Sequence, residues 1–553
     1  MMKLQAEEEA ENQRLQSYPS GARPNELNGN NNGNYWARPG APGNHPVSQF
    51  ANFAPVAASA APPPPPPPPA AVGPVRPPPA QQQLGATPFD NFLPPRWRDH
   101  VLNLISRGIT KFALDLDRVI EQTSEVSTEN RVFSPASLTL TLSMVMLAAG
   151  GKTFDEVSKI LGLESGIDVS KHSEIVHQIF GLSIRETLKK EQLDPSLPRS
   201  NFGFGIFVEN GYPIREQFRA VSENVYKADV VNVDFSRDNK GAQQLINNWV
   251  NNRTAGLIKS LLSEPPSPLT KVIITSALYF MGEWEQHFVE ESTRRKPFFT
   301  EPNQSVMVDL MYNGGEFPYH EDAQLGLKII SFPYKGREVS MYAILPDEPG
   351  AAALRNLKRR LNASDLEELI GKMQNRSCLV AFPRMNLSSD LNLERALKRM
   401  GLESLFDPSS ADLGMLSQGN PLGEGDDVRA SRYKSPFEQD HCLARRLDPS
   451  FVAYLRSNLP DVRLDELRRA ENLVNPGLFA DSLLHRVRMQ VNEEGTEAAA
   501  ATAIEFIDKI LPDERFKADR PFLLAIRHAP TKSLMFWATV NKPTPFYTQP
   551  PPK

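Results

Sequence analysis

Glu493-Glu494-Gly495-Thr496-Glu497-Ala498-Ala499-Ala500-Ala501-Thr502-Ala503 is the stretch of this chain that carries most information about its fold. Composition alone makes a helix a strong candidate for this run, because Ala is the best helix former. The alternative is a segment that is exposed in one state and becomes a strand between two neighbours in another. Small side chains suit such a strand, because a packed sheet has no room for added volume. The flanking sequence favours the strand.

The whole chain has 553 residues and a formal net charge of -5. This balance creates no global positive field, so we expect no nucleic-acid partner. The 49 prolines are concentrated near the start, where Pro62 to Pro69 form one unbroken run. We predict that residues 1–95 are a disordered Pro/Asn/Gln-rich extension, since proline disrupts both helices and ladders and little apolar surface is present. The longest apolar runs, such as Leu142 to Ala149, are too short for a membrane span.

No pattern in the sequence indicates an enzyme, a metal site or a cofactor. The two cysteines, Cys378 and Cys442, form no CxxC pair and leave open either one disulfide or two thiols. His172 and His177 are not part of an HExxH motif, and no G-x-S-x-G elbow occurs. We therefore expect neither catalysis nor a bound metal or cofactor.

The hydrophobic pattern of residues 96–548 predicts one α+β domain. Apolar residues from Val101 to Ile120 follow helical spacing, and Thr153 with Glu156 has the spacing of a capping box at a helix start. Residues 418–476 are polar and irregular, which indicates an inserted surface segment or an error in the gene model. Buried strands are predicted at Val272 to Phe280, Val339 to Leu345, Leu379 to Phe382, Leu523 to Ile526 and Leu534 to Val540.

Five motifs in the same order resemble those of serpins, the serine protease inhibitors that trap a protease by inserting a cut loop into a sheet. The resemblance extends from about residue 95 to residue 546. The motifs are the hinge at 493–503, the shutter-like Asn130-Arg131-Val132-Phe133-Ser134-Pro135-Ala136-Ser137, the breach-like Tyr279-Phe280-Met281-Gly282-Glu283-Trp284, the shutter histidine at His485, and the C-terminal Phe516-Lys517-Ala518-Asp519-Arg520-Pro521-Phe522.

The resemblance implies a serpin fold with about three β-sheets, eight to nine helices and an exposed reactive centre loop. The chain resembles arthropod-type secreted inhibitory serpins, here with an added N-terminal extension. The resemblance also implies a monomer. Ser276 departs from the pattern, because serpins commonly carry at this position an asparagine that pairs with the histidine; the network must therefore differ here. The implied shutter and breach residues are Asn130, Ser134, Ser137, Ser276, Trp284 and His485.

The resemblance also assigns roles along the hinge. Glu493 is implied to lie seventeen residues before the cut bond and to pair with Arg384, while Glu494 and Gly495 lead into the inserting strand. Alternate side chains of a strand face the same side. None of the residues implied to face inward after insertion is bulky or charged, which favours an inhibitory member: these are Thr496, Ala498, Ala500 and Thr502.

Counting thirteen residues beyond Thr496 places the reactive bond between Lys509 and Ile510. Lysine fits a pocket with a carboxylate at its base, so the implied partner is a trypsin-like serine protease held in a covalent complex. A slip of one residue makes Asp508 the bait, and Arg515 is a further basic candidate. The alternatives are a non-inhibitory carrier or chaperone with this fold, and an intracellular inhibitor that uses Asp508.

The place of action is contested within the sequence. Five Asn-x-Ser/Thr triplets suggest a secreted glycoprotein that regulates an extracellular proteolytic cascade. The first residues contain no apolar h-region, so no signal peptide is visible and a cytoplasmic location is the alternative. The candidate glycosylation sites are Asn252, Asn303, Asn362, Asn375 and Asn386.

Overall fold

The computed structural model describes residues 95–123, 129–162, 197–417, 475–496 and 514–547, and five helical positions between 177 and 187. Several predictions fall outside these ranges. They are the extension before Pro95, the segment 418–474 within the predicted insertion, the hinge residues Ala498, Ala500 and Thr502, and the reactive bond of Lys509 and Ile510.

Eight α-helices are complete in the described part of the chain. Helix α2 is buried along its whole length, and the Ser134 hydroxyl caps its first turn by accepting the Ser137 N–H. None of these helices has the length and hydropathy of a membrane span. The helices are α1 (Pro95–Thr123), α2 (Pro135–Ala148), α3 (Gly151–Ile160), α4 (Glu216–Tyr226), α5 (Asn239–Arg253), α6 (Ala351–Arg360), α7 (Ala363–Lys372) and α8 (Glu394–Arg399).

The described strands form two hydrogen-bonded sheets, and every strand predicted from the sequence lies within one of them. The strands are β1 (Arg131–Phe133), β2 (Arg199–Glu209), β3 (Asp229–Val233), β4 (Val272–Glu283), β5 (Val289–Glu301), β6 (Gln304–Asp322), β7 (Leu327–Pro333), β8 (Val339–Pro346), β9 (Gln374–Pro383), β10 (Met385–Asn392), β11 (Ala480–Val491), β12 (Gly495–Thr496), β13 (Glu514–Lys517), β14 (Phe522–His528) and β15 (Ser533–Val540).

The larger sheet has the strand order β1-β15-β14-β8-β7-β6-β9-β13, with β5 also paired to β6. Strand β6 belongs to two parts of it, because it pairs with β9 from Leu310 to Tyr319 and with β7 from Tyr319 to Asp322. Dividing the larger sheet at β6 gives two sheets, and the smaller sheet is the third. This agrees with the α+β fold of about three sheets implied by the sequence.

The smaller sheet has the strand order β10-β11-β4-β2-β3. Strands β4 and β11 are parallel neighbours from Val272–Ala480 to Tyr279–Arg488, and we call the boundary between them the seam. The two faces of β4 are both covered. Leu278 and Phe280 point into the main core with α1 and α2, whereas Ile273 and Ala277 point into a smaller cluster with Ile246 and Val250 of α5.

The predicted capping box at Thr153 is wrong. Helix α3 begins two residues earlier, at Gly151, and its cap residue Gly150 has no side chain to offer. The Thr153 hydroxyl instead lies 3.0 Å from the Ser404 hydroxyl and accepts the Asp412 N–H at 3.1 Å. The Glu156 carboxylate accepts from the backbone and hydroxyl of Ser404. Partners distant in sequence took the groups that a local cap would have used.

A buried charge cluster joins α1 to α6 and β15. The Asp117 carboxylate lies 2.8 Å from Lys358 Nζ and 3.5 Å from Arg131 Nε, and it accepts from Trp537 Nε1 at 3.2 Å. Glu121 balances the second positive charge. Burial by itself would raise the pKa of Asp117, but Lys358 and then Arg131 outweigh it, so this pKa is lowered. The carboxylate therefore stays ionised inside the protein.

Replacement of this carboxylate is expected to be costly. Asp117→Asn leaves Lys358 and Arg131 short of one buried counter-charge, which typically costs about 3 to 5 kcal/mol of unfolding free energy. Because the folded pKa lies below the unfolded one, the contribution of Asp117 is present above pH ~3.9 and is lost as the pH falls through the folded pKa. Urea unfolding across a pH series measures both effects.

The matched control is Asp115→Asn, two residues earlier on the same helix. Asp115 pairs with Lys111, whose side chain is 70% exposed, and with the partly exposed Arg118 at 3.0 Å. Ion pairs near the surface contribute about 1 kcal/mol or less. Equal losses for the two variants would contradict the assigned role of Asp117.

Candidate functional site

The hinge begins with a tight turn at the end of β11. The Asn492 side-chain oxygen accepts the N–H groups of Glu494 at 3.2 Å and Gly495 at 2.9 Å, and the Asn492 N–H donates to the Gly495 carbonyl at 2.9 Å. The chain reverses there, so that β12 pairs antiparallel with Glu283 and Gly282 of β4. Gly495 and Thr496 therefore form a short strand, and the alanines that follow lie outside the described residues.

Close backbone contact makes glycine necessary at the start of this strand. A Cβ atom added to Gly495 would lie 2.1 Å from the carbonyl oxygen of Gly282 and 2.7 Å from the Cα of Glu283. Both are backbone atoms of β4, so neither can move aside cheaply. Any larger residue at position 495 would push the hinge away from β4.

Trp284 anchors the turn from below. Its indole Nε1 donates to the Asn492 carbonyl at 3.0 Å, and its backbone N–H donates to the Glu494 carbonyl at 2.9 Å. The ring is buried and stacked on Tyr334, with 4.4 Å between centroids. A bulky, hydrogen-bonded side chain thus fixes the position of the turn that begins the hinge.

Glu493 is buried, and one of its oxygens receives three donors. Arg384 contacts Glu493 Oε1 through Nη2 and through Nε, the latter at 3.1 Å, and the Thr293 hydroxyl donates to the same atom at 2.5 Å. The hydrogen bond to Glu493 raises the pKa of Arg384, which keeps the guanidinium charged. The structure thus brings together the pair implied by the sequence, with Thr293 as an additional partner.

Below the hinge, four polar residues meet at the seam. His485 Nε2 accepts the backbone N–H of Ser134 at 2.9 Å, and His485 is the register partner of Ser276 across the seam. The Ser276 hydroxyl lies 3.0 Å from the hydroxyl of Ser137 on α2. The serine that replaces the expected asparagine therefore bonds to the helix beneath the sheet, through its hydroxyl.

Asn130 occupies a different place from the other implied shutter residues. Its side-chain amide donates to the Lys542 carbonyl at 2.6 Å, and its oxygen accepts the N–H groups of Asn541 and Lys542. These contacts tie the chain before α2 to the segment that follows β15. Asn130 therefore supports the position of α2 from its N-terminal side.

The His485 ring is neutral in the folded protein. Burial lowers its pKa to about 3, and the Ser276 backbone offsets this only slightly. Nε2 accepts a hydrogen bond, so the proton resides on Nδ1, which has no bond of normal geometry to a described residue. Protonation of Nε2 would cost the bond from Ser134 and bury a charge.

Sequence reasoning missed Asn492, Thr293 and Tyr334. Asn492 had a local signal, because Asn shortly before Gly is typical of a turn. Thr293 and Tyr334 had none, since each reaches the hinge from a segment that is distant in sequence. All five candidate glycosylation asparagines are exposed, and the side chain of Asn362 also caps α7.

Comparison with known proteins places this geometry in context. The family model described as "Serpin (serine protease inhibitor)" matches residues 107–543. The chain is 30% identical over 442 residues to serine protease inhibitor 28Dc of Drosophila melanogaster, covering 75% of this chain and 76% of that protein. It is 29% identical over 446 residues to leukocyte elastase inhibitor of Sus scrofa, covering 79% and 99%.

Solved structures resemble the fold. Uncleaved ovalbumin has a TM-score of 0.62 at 23% identity, covering 79% of this chain and 100% of that one. Serpin48 of the insect Tenebrio molitor has a TM-score of 0.58 at 22% identity, covering 80% and 98%. At these identities the likeness concerns the fold alone.

The neutral His485 predicts a pH dependence of stability. Its folded pKa lies below the unfolded value of 6.5, so the unfolded chain binds the extra proton and stability falls as the pH drops below about 6.5. One such group contributes at most about 1.4 kcal/mol per pH unit. His485→Gln keeps an acceptor for Ser134 but does not titrate, so the slope of unfolding free energy between pH 6 and 4 should decrease. An unchanged slope would contradict the neutral assignment.

Proposed function

Because the chain belongs to the serpin family of serine protease inhibitors, we propose that it traps a trypsin-like serine protease through cleavage after Lys509. The protein acts as an inhibitor and not as an enzyme. The observation that carries the proposal is the start of β12, where the hinge already pairs with β4 beside an otherwise closed seam.

Continuation of the β12 register would fill the seam with small residues. Thr496 lies opposite Gly282, so each further step along the loop corresponds to one step back along β4. Ala498 would then meet Phe280, Ala500 would meet Leu278, and Thr502 would meet Ser276. Phe280 and Leu278 face the packed main core, where added volume is penalised. Alternating Ala and Thr meet that restriction.

Insertion would also improve the pairing of the sheet. The seam is a parallel pair, whereas β12 runs antiparallel to β4. A strand that continued β12 between β4 and β11 would replace one parallel ladder by two antiparallel ones. Antiparallel pairs are slightly more stable per residue, and the number of ladders doubles. This gain supplies part of the free energy that an uncut, metastable fold would release.

In the proposed reaction the protease serine attacks the Lys509 carbonyl, the bond to Ile510 breaks, and the new amine leaves on Ile510. The acyl-enzyme is joined to a loop that is free to insert, so the protease is carried along the sheet before water completes hydrolysis. A lysine at the cut bond fits a trypsin-like pocket better than the small pocket of an elastase. We therefore propose a different specificity from that in the names of the leukocyte elastase inhibitor relatives.

Mixing the protein with trypsin tests the trap. A denaturing gel should show a band larger than the inhibitor, because the ester bond survives denaturation. N-terminal sequencing of the released C-terminal fragment should begin at Ile510, whereas a start at Phe516 would identify Arg515 as the bait. Trypsin does not cleave after aspartate, so the Asp508 alternative predicts neither a complex nor cleavage at this site. Cleavage without a larger band would instead support the non-inhibitory alternative.

Variants of the hinge separate insertion from cleavage. Thr496→Arg places a long charged side chain at a position that would face the core, and it should turn the inhibitor into a substrate. Glu497→Arg, one residue along, would face the opposite side and should leave the complex band intact. Lys509→Ala should abolish the reaction with trypsin altogether. Full inhibition by Thr496→Arg would refute the insertion mechanism.

We further propose that the protein is a secreted glycoprotein acting in an extracellular cascade. The support is the exposure of the five candidate asparagines. Enzymatic removal of N-linked glycans from protein isolated from its natural source should increase its gel mobility. Unchanged mobility together with recovery from the cytosol would contradict secretion and favour the intracellular alternative.

A further inference from the structure

Residues Lys542–Tyr547, which we call the tail, lie beside the contact between Arg384 and Glu493. The tail backbone is bonded on two sides. Asn386 of β10 donates its N–H to the Thr544 carbonyl at 2.6 Å, and Met307 of β6 exchanges two hydrogen bonds with Tyr547 at 2.9 and 2.8 Å. The tail therefore joins the strand that follows Arg384 to the strand that contains Asp309.

The Tyr547 side chain binds an ion pair at this place. The Arg295 guanidinium lies over its ring, 3.5 Å from the centroid. The Tyr547 hydroxyl donates to Asp309 Oδ2 at 3.2 Å, and Arg295 Nε donates to Oδ1 of the same carboxylate at 3.1 Å. A cation–π contact and two hydrogen bonds to one carboxylate thus hold Arg295 and Asp309 in place.

Arg295 and Asp309 are each one step from the hinge. The Asp309 carbonyl accepts the Arg384 N–H at 2.9 Å, so the position of Asp309 sets that of the residue whose guanidinium binds Glu493. Thr293, which donates to Glu493 at 2.5 Å, precedes Arg295 by two residues on β5. Both donors to Glu493 therefore stand close to residues whose side chains Tyr547 contacts.

We propose that Tyr547 is a positioning residue for the hinge, which holds Thr293 and Arg384 against Glu493 by way of Arg295 and Asp309. This proposal rests on the proposed function, since it concerns how readily the intact loop enters the seam. Without Tyr547 the backbone ladders remain, but the two donors lose a fixed position. Glu493 is then released more often, and insertion occurs before any protease has cut the loop.

Incubation of the intact protein without protease, below its unfolding temperature, tests this role. The rate of conversion to a heat-resistant, loop-inserted form is followed by the fraction that survives a brief heat step. Tyr547→Ala should convert roughly three- to tenfold faster than the unmodified protein, by the usual magnitudes of the lost contacts. Tyr547→Phe keeps the ring over Arg295 and should show a smaller increase.

The matched control is Phe546→Ala in the adjacent position. Phe546 is 36% exposed and packs on Lys542 of the tail itself, at 3.6 Å, so its loss should leave the conversion rate unchanged. Equal rates for Tyr547→Ala and Phe546→Ala would overturn the proposal.

A double variant tests whether Tyr547 acts through Glu493. Glu493→Gln weakens the contact directly, so adding Tyr547→Ala to it should change the rate little, whereas independent effects would multiply. Multiplied rates would overturn the proposal, and a general loss of stability would produce that outcome.

The two proposals fail separately. A protein that traps trypsin but converts equally fast in the Tyr547 and Phe546 variants refutes the role of the tail alone. A protein that forms no covalent complex but keeps the expected order of conversion rates refutes the inhibitory function alone.

Discussion

The parallel pairing of β4 with β11 is the interaction on which the rest of this structure depends. These two strands lie inside the sheet and run in the same direction. Their pairing ends at Tyr279 and Arg488, shortly before the hinge. Because β4 and β11 are parallel, a single new strand placed between them can be antiparallel to both. The hinge turn at Asn492 delivers a strand in that direction, so the topology provides both the site and the orientation for insertion.

The contacts around the seam divide into those that hold the hinge and those that hold the sheet closed. Glu493, Trp284 and the Asn492 turn fix where the loop leaves β11, while His485 and Ser276 link the sheet to the segment Ser134–Ser137 at the start of α2. Both groups consist of hydrogen bonds in which at least one partner is buried. Such bonds are modest in net energy but costly to leave unmade, which suits contacts that must be definite in one state and exchangeable in another.

Much of the fold was predictable because its signals are local. The strands from Val272 and Leu534 are rich in apolar residues, and the buried face of α1 follows helical spacing. The capping box at Thr153 was predicted from an equally local pattern and is wrong, since Ser404 and Asp412 take its polar groups. Thr293, Asp309 and Tyr547 near the hinge carry no local pattern, because their importance comes from meeting across three separate segments.

The sequence by itself determined the family, the α+β class, the glycine at the hinge and the small residues that follow it. These features follow from the size and spacing of side chains within single segments. Only the tertiary structure decided that Glu493 is buried and also accepts from Thr293, that Ser276 bonds to Ser137, and that the tail lies against Asp309. Each of these contacts joins residues more than 100 positions apart, and a hydrogen bond depends on positions that only the packed fold sets.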